Sequence, residues 1–213
     1  MPRDERKRQK ALMKKRSKQK AAPHNKSHQS GLTSASPQTM ISRARTFPIY
    51  ECLISDSWQK ENPGLVQILL ARQQPDGDIC WSTYLVDKLC LGVKDTFANA
   101  NFSRSRYQNE VPSKIFHGTK PVECSPELAH QMIYASIDFA AQFGFQPHKD
   151  FMFTQYLLTP RGELEEPYKL TFGRDGKPLY ISGPHDNPDR IIRQLEKTAG
   201  PGNFDYLVGL GEF

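Results

Sequence analysis

The sequence predicts an α+β domain with a mainly antiparallel sheet, preceded by a disordered basic arm. Short runs of β-forming residues are joined by Asp-Gly turns, which are typical of hairpins. An amphipathic helical segment with capping signals at both ends follows them. Strands joined as hairpins and then covered by helices indicate α+β rather than repeated βαβ units. The first 47 residues combine a large excess of basic residues with very few apolar ones, which predicts an arm outside the core.

The hairpin over residues 65–86 is the clearest pair of strands. Residues 65–72 form a nearly continuous apolar run, and residues 79–86 form a second β-rich run. Between them Pro75 fixes φ and Gly77 supplies a position of positive φ, so the chain can reverse in a tight turn.

Other strand predictions rest on weaker patterns. A second hairpin is predicted over 168–181, around the Asp175-Gly176 turn. Residues 48–54 and 151–158 are also predicted as strands, because β-branched and aromatic residues are frequent in both. Residues 87–110 are compatible with strand, helix or loop.

Helix 126–143 is expected to pack on the sheet. Ser125 is a good N-cap, Pro126 suits the first helical position, and Gly144 suits the residue after the end. One broad face of this helix is apolar and should face the sheet: Leu128, Ala129, Met132, Ile133, Ser136, Ile137, Phe139, Ala140 and Phe143.

The opposite face of helix 126–143 carries Gln131, Tyr134, Asp138 and Gln142. A last helix is predicted from Pro188 to about Ala199, with Asn187 as its cap and Gly200-Pro201 as its stop.

Charge divides the chain into an arm and a body. The net charge of +6 is unevenly distributed. Residues 1–47 carry 13 basic and two acidic residues, whereas residues 48–213 carry 16 basic and 21 acidic residues. We therefore expect a basic disordered arm over 1–21, a flexible Ser/Gln/Pro-rich linker over 22–46 and one domain over 47–213.

The arm predicts contact with a polyanion, because each Lys or Arg that neutralises a phosphate releases condensed counterions. RNA or a ribonucleoprotein is favoured over DNA, since basic disordered segments often fold on structured RNA. A solvated tail and a targeting segment are the alternatives. The candidate phosphate contacts are Arg3, Arg6, Lys7, Arg8, Lys10, Lys14, Lys15, Arg16, Lys18 and Lys20.

Composition excludes several classes of protein. No run approaches the roughly 18 apolar residues of a spanning helix, so we expect no membrane partner. The four cysteines (52, 80, 90 and 124) are too sparse for a disulfide scaffold and lack zinc spacing, so they are predicted to be buried thiols. No metal is predicted, and the cofactor is left open because no phosphate-loop, HExxH or dinucleotide motif is present.

A few polar residues of the body could carry chemistry. Carboxylates at strand ends together with a histidine can hold a divalent cation for phosphodiester hydrolysis. Each also has a structural explanation, such as a turn cap, an ion pair or a hydrogen-bonded core histidine. The candidates are Asp87, Lys94, Asp95, His130, His148 and Asp150.

Three strings resemble a group of uncharacterised bacterial proteins. They are Tyr84-Leu85-Val86-Asp87 with Cys90-Leu91-Gly92-Val93-Lys94-Asp95, then Ser125 to His130 (SPELAH), then Gly144 to Phe151 (GFQPHKDF). The resemblance covers roughly residues 48–182. It implies one coherent domain in a bacterial cytoplasm and assigns no catalytic residue.

The sequence therefore favours a nucleic-acid-associated protein whose arm contacts phosphate and whose acidic body adds specificity or contacts a protein. One alternative is a metal-dependent hydrolase or nuclease using Asp87, Asp95 and His148. That alternative requires these residues, with His130 and Asp150, to meet in one polar cavity. Another alternative is a protein-interaction domain with an inert tail.

Overall fold

The computed structural model describes residues 36–60 and 64–209. The predicted arm, and the predicted linker up to residue 35, lie outside the described residues. The helices and strands are α1 (Pro37–Arg43), α2 (Arg104–Ile115), α3 (Pro126–Ala141), α4 (Phe151–Thr154), α5 (Pro188–Thr198), β1 (Ile49–Ser55), β2 (Leu65–Gln73), β3 (Ile79–Asp87), β4 (Gly92–Phe102), β5 (Pro121–Glu123), β6 (Leu179–Ile181) and β7 (Asp205–Leu207).

The main sheet confirms the predicted α+β class. It has five strands in the order β4-β3-β2-β1-β5, and every neighbouring pair is antiparallel. The hairpin over 65–86 is confirmed, with β2 and β3 in register from Leu65 opposite Asp87 to Gln73 opposite Ile79. Its turn uses Gly77 at a φ of 91°, as the sequence requires.

Each face of the sheet supports its own core. On one face, α3 packs against Ile54, Ile68 and Tyr84 through residues such as Met132 and Ile133. The other face packs against α2. The sheet contributes Leu53, Leu69, Ala71, Ile79, Trp81 and Phe102 to this second core, and α2 with its C-cap contributes Tyr107, Val111 and Phe116. The ambiguous region 87–110 therefore contains an edge strand, β4, and the start of α2, which buries Tyr107 and Val111.

Helix α3 is confirmed, but both of its sides are covered. The Ser125 hydroxyl caps it by accepting a hydrogen bond from the Leu128 N–H. Gln131 and Tyr134, placed on the opposite face by the sequence, are buried. The Gln131 side chain exchanges two hydrogen bonds with the Tyr168 backbone, and Arg161 stacks on Tyr134 at 4.4 Å. The segment after α4 therefore folds back over this helix.

The predicted strand over 151–158 is wrong. The segment forms α4 and then a 3₁₀ turn, and it buries Phe151, Thr154, Leu157 and Leu158. Its carbonyls bond to side chains of the sheet rather than to a neighbouring strand. The Tyr84 hydroxyl donates to the Thr154 carbonyl at 2.8 Å, for example. Apolar, β-prone residues are present in this segment, but their burial has the period of a helix.

The predicted hairpin over 168–181 forms only its turn. Arg174 and Lys177 make an isolated antiparallel bridge. The flanking residues do not pair, because the Gly173 and Leu179 N–H groups donate to Lys88 and Leu89 carbonyls in the β3–β4 turn. β6 pairs instead with β7, in parallel, far along the chain.

The folded unit begins earlier than the sequence predicts. The last ten residues of the expected linker form α1 and a 3₁₀ turn, and Ala44 is fully buried. Arg72, itself 5% exposed, donates from Nη1 to the Phe47 carbonyl and from Nε to the Leu157 carbonyl, both at 2.7 Å. Truncation at residue 48 would therefore remove part of the core.

This boundary can be tested by replacing a core anchor. Phe47→Ala removes a side chain that is 8% exposed, and we expect it to lower the free energy of unfolding by about 3–5 kcal/mol. Phe153→Ala, the same change at a residue that is 50% exposed, should cost about 1 kcal/mol. Urea denaturation measures both. Equal losses would place residue 47 outside the core.

Candidate functional site

A cleft with a mixed polar and apolar lining lies between β4 and α5 and is here called the β4–α5 cleft. Its volume of about 520 Å³ lies within the range of small-molecule sites. Apolar side chains contribute to it at Leu91, Val93, Phe145 and Ile191. Its polar lining is Lys94, Gln146, His148, His185, Asp186, Asn187, Arg190 and Gln194.

A half-buried ion pair fixes one wall of the cleft. Lys94 on β4 donates to Asp186, in the loop before α5, at 2.8 Å. The same carboxylate oxygen accepts from the Gly183 N–H at 2.8 Å and from the Tyr180 hydroxyl at 3.3 Å. Burial alone would raise the pKa of Asp186, but the hydrogen bonds from Lys94 and Gly183 lower it overall. The pair is therefore charged on both sides and neutral in sum.

The remaining positive charge of the cleft comes from α5. Asn187 caps this helix by accepting from the Arg190 N–H, which places the helix N-terminus and the Arg190 side chain at the cleft. Among the described residues no carboxylate lies within 4.0 Å of the Arg190 guanidinium. The imidazole of His185 also lines the cleft. This arrangement suits an anionic group bound beside an apolar surface.

Of the predicted residues, Lys94 and His148 line the cleft, and Asp95 and Asp150 lie beside the His148 ring. His148 Nδ1 lies 3.9 Å from Asp95 Oδ1 and 3.8 Å from Asp150 Oδ2, both beyond hydrogen-bonding distance. Its Nδ1 instead accepts a hydrogen bond from the Asp150 N–H at 3.4 Å. No hydrogen bond therefore joins His148 Nδ1 to either carboxylate.

Asp87 has a structural role. Its two carboxylate oxygens accept hydrogen bonds from the N–H groups of Leu89, Cys90 and Leu91, which closes the β3–β4 turn. Burial raises the pKa of Asp87, and these backbone hydrogen bonds oppose the rise. Gly92 completes the turn at a φ of 68°, where a Cβ would lie 2.9 Å from a backbone oxygen of α3.

His130 is also a core residue. Its ring contacts that of Tyr134 at a tilt, with centroids 4.6 Å apart, and its Nε2 donates to the Thr159 carbonyl at 2.9 Å. Within the described residues its buried Nδ1 has no hydrogen-bond partner. Burial lowers the pKa of His130, because the charged ring would lose its hydration.

The convergence required by the hydrolase alternative is therefore not found. Asp87 and His130 are buried within the fold, whereas His148 lines the cleft, and Asp95 and Asp150 lie beside its ring but outside the cleft lining. In the described part of the chain, no group of three or more His, Cys, Asp or Glu side chains could hold a metal ion. For the protein-interaction alternative, the relevant surface is an apolar groove of about 280 Å³. It is lined by Phe97, Phe153 and Tyr156 among others.

Sequence reasoning missed Asp186 and Arg190. Lys94 was singled out, but its partner lies 92 residues away, and no local pattern links the two. The available signal was the Gly183-Pro184-His185-Asp186-Asn187 string before the last predicted helix, in which only Asn187 was assigned a role, as the helix cap.

Comparisons with protein families, with curated proteins and with solved structures gave no match to this chain. Over residues 36–60 and 64–209, no helix has the length and apolar character needed to cross a membrane.

The lowered pKa of His130 predicts acid sensitivity. A histidine whose pKa falls below 6.5 on folding binds fewer protons folded than unfolded, so its contribution to stability is complete above pH 6.5 and declines below it. We expect the free energy of unfolding to fall between pH 7.5 and 5.5, and to fall less in His130→Gln. Urea titrations at each pH measure this, with His117→Gln as the exposed control. Identical pH slopes in wild type and His130→Gln would contradict it.

Proposed function

We propose that this protein binds RNA, with the basic arm holding the phosphate backbone and the β4–α5 cleft adding selectivity. The observation that carries the proposal is the division of charge. Ten of the first 20 residues are Lys or Arg, whereas residues 48–213 carry five more acidic than basic residues. A body of net negative charge repels a polyanion, so the attraction must come from the arm.

The chemistry of the arm supports backbone contact rather than base recognition. No aromatic residue occurs before Phe47, so the arm has no platform on which bases could stack. Its affinity would come from counterion release, which is independent of sequence and falls steeply with salt.

Selectivity then requires a surface on the folded domain. The β4–α5 cleft offers a helix N-terminus, an apolar surface and the Arg190 guanidinium, which has no carboxylate partner among the described residues. A phosphate beside an unstacked base would suit these groups, since RNA recognition commonly uses splayed-out nucleotides. The Lys94–Asp186 pair holds β4 and the loop before α5 at a fixed spacing.

The contribution of the arm is tested by matched charge removal in the full chain. Replacing Lys14, Lys15 and Arg16 with Gln should lower the slope of log affinity against log salt by about 2, because each single-strand phosphate contact contributes about 0.7. Replacing the exposed Lys169, Lys177 and Lys197 with Gln removes the same charge from the body and should leave the slope unchanged. Fluorescence anisotropy with a labelled single-stranded RNA measures both. Equal effects would contradict arm-centred binding.

The contribution of the cleft is tested by selectivity rather than affinity. Arg190→Gln should leave the salt slope within error but reduce enrichment of preferred RNAs, measured by sequencing RNA selected on the full chain. Arg193→Gln is the matched control, because it lies on the same helix and outside the cleft lining. Undiminished enrichment in Arg190→Gln would remove the cleft from the proposal.

A further inference from the structure

Two of the four cysteines lie in direct contact. The Cys52 and Cys124 sulfur atoms are 3.4 Å apart, across the junction between β1 and the end of β5. Cys52 is buried, and Cys124 is half-buried. The remaining two, Cys80 and Cys90, are fully buried and have no cysteine partner among the described residues.

The backbone geometry of this pair suits a disulfide. β1 and β5 pair with Leu53 opposite Glu123, so Cys52 and Cys124 are the next facing residues. The Cys124 N–H donates to the Cys52 carbonyl at 3.0 Å, so the two residues lie directly opposite each other. Such pairs have a Cα separation of about 5.5 Å, and disulfides most often span about 5.5–6 Å. Side-chain rotation can therefore bring the sulfurs to bonding distance without moving the strands.

Cys124 is the more accessible of the two residues. Cys124 lines an open depression with Trp58, Ser125 and Tyr168. Cys52 faces the main core beneath it. The accessible thiol can thus react first, and the buried thiol is in position to react with the product.

We propose that Cys52 and Cys124 are a reversible oxidation site, which a hydroperoxide converts to an intramolecular disulfide. The Cys124 thiolate attacks the peroxide, the O–O bond breaks, an alcohol or water leaves, and Cys124 becomes a sulfenic acid. The Cys52 sulfur then attacks the Cys124 sulfur, the S–O bond breaks, and water leaves with the Cys52 proton. The two thiols lose two electrons, and the peroxide gains them.

The assignment of roles follows from the surroundings of each thiol. The hydrogen bond with Cys124 and burial raise the pKa of the Cys52 thiol, so Cys52 is a poor first nucleophile. Burial also raises the pKa of Cys80, to about 12, which leaves it unreactive at neutral pH.

The disulfide would join the edge strand β5 to β1 at the residue before the Ser125 cap of α3. This bond would be a covalent link at the start of α3, near the depression lined by Trp58 and Tyr168. Oxidation would thus cross-link two residues that lie 72 positions apart in the sequence.

The test treats the full chain with hydrogen peroxide and maps the products by mass spectrometry without reduction. Wild type should lose two of its four thiols, give a linked peptide pair containing Cys52 and Cys124, and recover both thiols with dithiothreitol. Linkage of any other pair, or oxidation of Cys80 and Cys90 at the same rate, would overturn the proposal. This experiment uses the wild-type chain, so its outcome does not depend on whether a variant folds.

Variants then test the order of reaction. Cys52→Ala should accumulate a Cys124 sulfenic acid that dimedone traps, whereas Cys124→Ala should leave Cys52 unmodified. Cys80→Ala and Cys90→Ala are the controls and should retain the linked peptide. Modification of Cys52 in Cys124→Ala at the wild-type rate would overturn the assignment of Cys124 as the attacking thiol.

Discussion

The buried guanidinium of Arg72 joins three distant parts of the fold. It sits on the α3 face of β2, where no acidic residue of the described chain pairs with it, and its hydrogen bonds go to backbone carbonyls of Phe47 and Leu157. Burial lowers the pKa of Arg72, yet its charge is retained because those carbonyls replace water. Loss of these donors would leave buried carbonyls unsatisfied, at about 1–3 kcal/mol each. Both the start of the domain and the turn after α4 depend on this one side chain.

This arrangement sets where the domain can meet a partner. With α3 and α4 on one face and α2 on the other, much of the sheet is covered, and the polar residues predicted from sequence are divided between interior and edge. Asp87 and His130 stabilise the interior. The Lys94–Asp186 pair and Arg190 remain at the β4–α5 cleft, where the acidic body keeps a local positive charge. The cleft is thus a locally positive surface on a body of net negative charge.

Local signals in the sequence predicted the elements whose stability is local. Helix α3 has its cap and the β2–β3 hairpin has its Gly77 turn, and both are confirmed. The strand predictions were wrong where distant residues provide the hydrogen-bond partners of the backbone. Carbonyls of residues 151–158 bond to the side chains of Tyr84 and Arg72, and β6 pairs with β7. The Tyr84–Asp95 string is explained by folding, since Asp87 and Gly92 close a turn against α3. The Lys94–Asp186 and Cys52–Cys124 contacts are equally long-range and had no local signal.

The most direct test of the division between arm and body is lysine acetylation of the full chain, with and without bound RNA, read by mass spectrometry. The account predicts strong protection of Lys7, Lys10, Lys14, Lys15, Lys18 and Lys20, with Lys114 unchanged, because Lys114 lies on α2, its side chain is 71% exposed, and α2 covers the sheet face opposite α3. Protection of Lys114 without protection of the arm lysines would contradict the account.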